Sequence, residues 1–414
     1  MKFHFTDTEP TPLLKDFDTF ARYLEQNSFA LGKASEHLPY EHLAALNEAM
    51  TCPNTENTPR TPQLFYPQLH LYFHLALAGR LFRKMAHKMQ KKLQVTERLA
   101  AYRALTPAEK YFFLLETLWM DCSWGDLGDS RRGSFIIFTM HGFLERFRKL
   151  KCGSALSRNE DASLLHTLSF MIPPTLVHSL SFFSWYRLER DDTLHQNYSV
   201  KSIFPIAALI PSELGITLAK ILMRHRPLVD WNLPYLRGEG ILPAMKEYQD
   251  KAGTSSIELF RHLCAKDELR SRLPRELPKA VKGNFVFKVS LTPSIWRTLA
   301  LSSRHTLADL HDAIQDAFQF DDDHLYAFYM DNRWRSEERI ESPRAGEGLT
   351  ADEVKIGELD LAVHQSFIYH FDFGDDWRFN VQLLDIKPDA PLLKQPKILE
   401  KRGKAPEQYR NAEW

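Results

Sequence analysis

The sequence predicts an α+β protein: a mainly helical N-terminal region, then a C-terminal α+β domain with a mostly antiparallel sheet covered by helices. Phe285, Phe287, Val289 and Leu291 fall at period two, the pattern of a strand with one face on a core. Leu307, Leu310, Ile314, Ala317 and Phe318 follow at helical spacing behind a Thr306/Asp309 capping box, which describes an amphipathic helix that can cover a sheet. Upstream of residue 278, capped or proline-led apolar runs favour helices instead.

The chain has 414 residues, 44% hydrophobic and 26% charged, so it reads as folded with room for more than one domain. Cys52, Cys122, Cys152 and Cys264 show no CxxC spacing, so neither a disulfide framework nor a structural zinc site is expected, and a reducing cytoplasm fits. The opening MKFHFTDTEP has no apolar signal core. Residues 164–186 lack Lys, Arg, Asp and Glu, but Pro173-Pro174 divides them, so two buried helices are expected there and no membrane partner.

In chain order, LLKDFDTFARYLEQN and LPYEHLAALNEAM read as helices of an N-terminal segment, residues 1–66. Pro53, Pro59, Pro62 and Pro67 mark a linker-like stretch after them. A mainly helical region, 67–278, follows and is compatible with a winged-helix-like unit, although no recognition helix emerges. Gln68 to Tyr102 reads as helical and basic, with eight Lys and Arg against Glu97 between Arg80 and Arg103. Arg80, Arg83, Lys84, Lys88, Lys91 and Lys92 are therefore candidates for a nucleic-acid patch, with a solvated structural face as the alternative. Thr106, Pro107 and Glu109 start the next helix, YFFLLETLWM, whose bulk all round places it in a core. SWGDLGDSRRG matches neither a phosphate loop nor a dinucleotide fingerprint. His141 lies on or near a helix surface without a partner motif, and Ser212 caps SELGITLAKIL.

The last domain is assigned to 279–414. Tyr326, Phe328 and Met330 alternate with Leu325, Ala327 and Tyr329, a strand partly buried on both faces. Phe367, Tyr369, Phe371 and Phe373 share a face of the final hairpin, Gly374 and Asp375 turn it, and Trp377, Phe379 and Val381 resume. Between residues 285 and 385 there are 19 Asp and Glu against 9 Lys and Arg, while the whole chain has formal net charge 0. A polyanion is therefore expected on the N-terminal part, unless the two charge excesses merely face one another within the molecule.

Carboxylates and imidazoles near the helix end and two strand ends form a candidate divalent-metal set: His311, Asp316, His324, His370, Asp372 and Asp375. His370 and Asp372 have the same strand parity, the one paired geometry that spacing supports. The bland reading is that turn aspartates satisfy local N–H groups and helix charges face water.

SIWRTLALSSRHTLADLHDAIQDAFQFDDDHLYAF, YHFDFGDDWRFNVQLL and GKAPEQY together resemble the plasmid pRiA4b open-reading-frame-three-like family, over roughly residues 285–409. The resemblance implies an α+β domain of no established molecular activity, associated with mobile elements. Its motif positions fall on Trp296, Arg297, Leu310, His311, Gln315, His324, Leu325, Phe371, Asp372, Phe373, Gly374, Asp375, Asp376 and Trp377, with no catalytic role attached. Members often have Trp where this chain has Phe320, and a cysteine-containing tail that is absent here.

The expected function is binding, with nucleic acid as the leading partner through the basic N-terminal region and a protein partner as another. A metal-assisted hydrolase or nuclease is one alternative; a scaffold using an aromatic groove of Trp296, Tyr326 and Trp377 is another. The sequence assigns neither an enzyme class nor a cofactor.

Overall fold

The computed structural model describes residues 2–32, 35–87, 90–128, 136–157, 172–190, 206–225, 231–233, 257–271, 273–275, 280–330, 332, 334–335, 339–345, 349–359, 361 and 363–409. These fall into two units, one of residues up to 275 and one from residue 280 onward, and the architecture is α+β.

The first unit is largely helical. Leu13–Gln26 buries Phe17, Phe20 and Leu24 at three- and four-residue spacing, and Phe17 and Phe20 meet Tyr72 of the Pro67–Ala78 helix at 5.6 and 5.8 Å. Asp16 is buried beside them and fully used: Thr51 donates from its backbone N at 2.9 Å and its hydroxyl at 2.7 Å, and Gln68 donates at 2.8 Å. The proline-rich stretch read as linker-like is thus tied to this core, with Thr61 and Gln63 both buried.

The expected helical stretch from Gln68 to Tyr102 is corrected. The Pro67–Ala78 helix stops where Gly79 is followed by Arg80 at φ +55°, and Leu81 N–H closes back on the Ala76 carbonyl at 2.9 Å. The chain then forms an antiparallel hairpin, β1 Phe82–His87 and β2 Gln90–Val95, before the Glu97–Arg103 helix. Leu81, Met85, Met89 and Leu93, four apart, suit one helix face, but the left-handed residue ends that helix first.

The Thr106 capping box forms as expected, and Tyr111 to Met120 are all buried. Their last turn widens to a π-helix, Thr117–Asp121, beside Trp119, Trp124, Trp185 and Trp231. Of the charge-free stretch, the Pro174–Phe182 helix is seen after the proline pair; residues 164–171 lie outside the described residues. Among the described residues no helix is long and apolar enough to cross a membrane. A small sheet, β3 Leu156–Ser157, β4 Tyr186–Arg190 and β5 Ile206–Pro211, runs β3-β5-β4 and leads into the Glu213–His225 helix. Ser212 caps that helix by accepting from Gly215 N at 2.8 Å.

The second unit is an antiparallel sheet of seven strands. These are β6 Asn284–Thr292, β7 Ile295–Ser302, β8 Tyr326–Tyr329, β9 Arg339–Glu341, β10 Ser366–Phe371, β11 Trp377–Lys387 and β12 Lys397–Arg402. Their order is β12-β7-β6-β11-β10-β8-β9. The Leu307–Phe318 helix covers one face, where Leu307, Leu310 and Ile314 share a core with Phe287, Phe367, Tyr369, Phe371 and Phe379.

Thr306 accepts from Asp309 N at 3.2 Å, and Asp309 Oδ2 accepts from Thr306 N at 2.7 Å. Thr306→Ala is expected to cost this unit about 1 kcal/mol, read from its denaturant midpoint. An unchanged midpoint would mean the box adds nothing.

Candidate functional site

Strand alternation gives the sheet of the second unit two unlike faces. On the helix side, His311 is buried between Asp322 and Tyr369: Nε2 lies 2.8 Å from Asp322 Oδ1 and Nδ1 2.6 Å from the Tyr369 hydroxyl. Gln315 donates to the same hydroxyl at 2.7 Å, and the His311 ring stacks on Tyr326 with centroids 3.7 Å apart. Burial pulls the His311 pKa below its ordinary value, against the opposing pull of Asp322. Tyr369 is fully buried, so the chain of hydrogen bonds ends where no substrate reaches. Its physical work is to join helix to sheet while leaving few polar groups unpaired.

Arg297 has a comparable role. Its guanidinium lies over Phe318 at 4.6 Å, donates to the Ala317 carbonyl at the helix end at 2.8 Å, and reaches the Arg402 carbonyl of β12 at 2.9 Å.

The candidate metal set does not gather in one place. Asp316 is exposed on the helix, His311 lies inside, and His370 projects from the opposite face of the sheet. The expected pairing of His370 with Asp372 is corrected: Asp372 sits at φ +51°, which breaks the strand alternation. Asp372 Oδ1 instead accepts from Gly374 N at 2.9 Å and Asp375 N at 3.2 Å, while Oδ2 lies 3.5 Å from His324. His370 faces Asp376, with Nε2 3.0 Å from Oδ1. For the same reason Phe373 leaves the core face and is 48% exposed, and Asp375 is exposed in the turn. The group that does converge is smaller and different: His311, Asp312 and Asp322 offer ligand atoms within 4.8 Å of one another.

The opposite face carries rings and cations that spacing did not single out as a group. Trp334 lies 4.6 Å from His370 and 5.5 Å from Tyr329, Phe373 lies 4.8 Å from His370, and the Arg378 guanidinium sits over Trp334 at 3.6 Å. Arg378 also donates to Asp376 at 2.7 Å. On the neighbouring strand β6, Lys288 Nζ lies over Trp296 of β7 at 4.6 Å. Through the registers Trp296↔Ser290, Ser290↔Asn380, Asn380↔Ile368 and Ile368↔Tyr329, both ends of this array share one row. Four strand steps make that row about 19 Å long. The expected groove of Trp296, Tyr326 and Trp377 is corrected, because Tyr326 and Trp377 face the helix side and Trp296 does not. The signal for this face was available in the parity of Lys288, Trp296 and Arg378, but Trp334 reaches it from a connection with no period to read.

The basic residues of the first unit are divided by the hairpin. Lys84 and Lys91 both reach Glu36, at 2.7 and 2.6 Å. Arg83 donates to Gln94 at 2.8 Å, and Lys92 lies 3.4 Å from the Ser28 hydroxyl. A helix face would have collected these cations; period two sends Lys84 and Lys91 to one side and Arg83 and Lys92 to the other. Arg80 holds the left-handed helix stop, and Lys88 lies outside the described residues.

Among the described residues the second unit is therefore an α+β domain with the Leu307–Phe318 helix on a seven-stranded antiparallel sheet. Residues 284–410 match the family model described as Plasmid pRiA4b ORF-3-like protein, which spans the motifs that carried the resemblance. No curated protein matches the chain. Among solved structures it is similar to the crystal structure of a protein of unknown function, MM3350, from Methanosarcina mazei Go1. That likeness is 24% identity over 30% of this chain and 71% of that one, with a TM-score of 0.26.

Proposed function

We propose that this chain is a binding protein whose C-terminal unit offers the face of its sheet opposite the Leu307–Phe318 helix to an unpaired nucleic-acid strand. The observation that supports this reading is the half-buried Trp296 and Trp334 and the exposed Phe373, with Lys288 and Arg378 beside them, on one face. Bases stack on such rings with about 1–3 kcal/mol each, whatever their sequence, and the cations meet the phosphates. Of the acidic residues of this region, Asp309, Asp312, Asp316, Asp321, Asp322 and Asp323 belong to the helix and the loop after it. The plasmid origin in the family description is in keeping with a nucleic-acid partner.

A labelled single-stranded oligonucleotide, titrated into the full chain at low and moderate salt, tests the reading. Affinity is expected to fall as salt rises, to drop about tenfold in Phe373→Ala, and to increase in Asp376→Asn, which frees Arg378. No binding at low salt, or binding indifferent to both substitutions, contradicts it. Capture of a peptide by the same face in place of the oligonucleotide would favour the scaffold reading.

The second reading, a metal-assisted hydrolase or nuclease, is supported by the trio of His311, Asp312 and Asp322. Burial first, then Asp322 and other nearby carboxylates, raises the Asp312 pKa, a strain that a cation would relieve. Manganese-dependent cleavage of the oligonucleotide, lost in Asp312→Asn, would carry that reading.

A further inference from the structure

We propose that His37, His70 and His74 of the first unit form a binding site for a zinc-class divalent cation. His70 and His74 stand one turn apart on the Pro67–Ala78 helix, so their rings project from the same face, with centroids 4.5 Å apart. His37 comes from the chain before the Tyr40–Glu48 helix and brings its ring to 5.4 Å from His70. Each ring offers one nitrogen, and those nitrogens all lie within 4.8 Å of one another. Zinc–nitrogen bonds of about 2.0–2.1 Å in a tetrahedron place ligand atoms about 3.4 Å apart, so side-chain rotation alone has to close the gap.

A second observation separates this cluster from an ordinary aromatic core. His70 is 1% exposed, and the Nε2 atoms of both His70 and His74 are sealed from water without completing a hydrogen bond. The Asp126 and Leu127 carbonyls lie near enough to His70 to favour its protonation, yet they do not close a bond of ordinary geometry on Nε2. Leaving buried ring nitrogens unpaired costs about 1–3 kcal/mol each, which Phe at the same positions would avoid.

The surroundings are arranged to orient the cluster. Gln63 is buried; its Oε1 accepts from Leu38 N at 2.8 Å and its Nε2 lies 3.2 Å from His70 Nδ1, so one amide ties the loop carrying His37 to the helix carrying His70. A cation at His70 either replaces that amide N–H at Nδ1 or takes the Nε2 position after the amide turns over. Lys84 is the nearby positive charge felt by His74, and Glu36 binds both it and Lys91. The donor set is all imidazole, which suits zinc and disfavours magnesium or calcium.

The test loads the chelated full chain with zinc chloride, desalts it and measures bound metal and thermal unfolding. One zinc per chain is expected, with unfolding of the first unit raised by about 5–10 °C at a hundredfold excess over Kd. The shape-conserving double substitution His70→Phe and His74→Phe is expected to retain no zinc and to gain no temperature from it. His37→Ala, at the loop, serves as the second variant and is expected to weaken binding at least tenfold. Cobalt added to the unaltered chain gives an independent readout, the visible absorption of a tetrahedral site. Failure of the unaltered chain to retain zinc, or equal retention by either variant, overturns the proposal, the latter pointing to the exposed thiols of Cys52 and Cys152.

Discussion

Gly215→Ala is expected to unfold the first unit. A Cβ at Gly215 would sit 2.1 Å from the Trp185 carbonyl oxygen and 2.5 Å from its Cα, and backbone atoms cannot rotate away as a flexible side chain would. Trp185 is itself fully buried among Trp119 and Phe147, and its carbonyl receives the Ser212 N–H at 3.0 Å just before the helix. Relief therefore requires the Glu213–His225 helix to move away from β4, at a cost of about 3 kcal/mol or more. Gly142→Ala is the control, since nothing lies within 4 Å of its Cβ and it is mid-helix. That change is expected to stabilise by about 0.5–1 kcal/mol. Thermal unfolding of the two variants decides the matter; equal behaviour would remove the close approach at Trp185 from the account.

The second large effect belongs to His311→Ala. The substitution removes the ring stacked on Tyr326 and leaves the buried Tyr369 hydroxyl with Gln315 alone, so the C-terminal unit is expected to lose about 3–4 kcal/mol. His324→Ala should cost under about 0.5 kcal/mol, because His324 is half-exposed and approaches its carboxylates only at 3.5 Å. The sign of the pH dependence follows from the lowered His311 pKa. An unfolded chain takes up its proton below 6.5 while the folded chain still resists, so this share of stability is complete above 6.5 and is lost as pH falls towards the folded value. The unaltered chain should therefore lose more stability than His311→Ala between about pH 7 and pH 5, measured by denaturant titration. A larger loss in the variant would reverse the assignment of burial as the dominant influence.

What could be read from the sequence was whatever depends on local period and capping. The Thr106 and Thr306 boxes, the inward Phe285, Phe287 and Val289, and the Leu307–Phe318 helix all stand as their spacing requires. Single left-handed residues defeated the rest. Arg80 ends a helix whose apolar positions would have let it continue, and the basic residues beyond it lie on opposite sides of a hairpin. Asp372 shifts the parity of the last turn, so Phe373 faces water and His370 meets Asp376. β12 carries no inward period at all, since every one of its residues is exposed, and only its pairing with β7 makes it a strand. The site was legible residue by residue, in His311, His370 and Trp296, but which face each would occupy depended on register and on Trp334 arriving from a connection.

Oligonucleotide affinity and unfolding temperature, measured together on Phe373→Ala and Tyr369→Phe, test most directly the division of labour between the two faces of the sheet. Phe373→Ala is expected to weaken binding about tenfold while leaving the unfolding temperature unchanged, and Tyr369→Phe to destabilise by about 1–2 kcal/mol while leaving affinity unchanged. The opposite pattern, with affinity lost on the buried side and stability lost on the open one, would contradict the account.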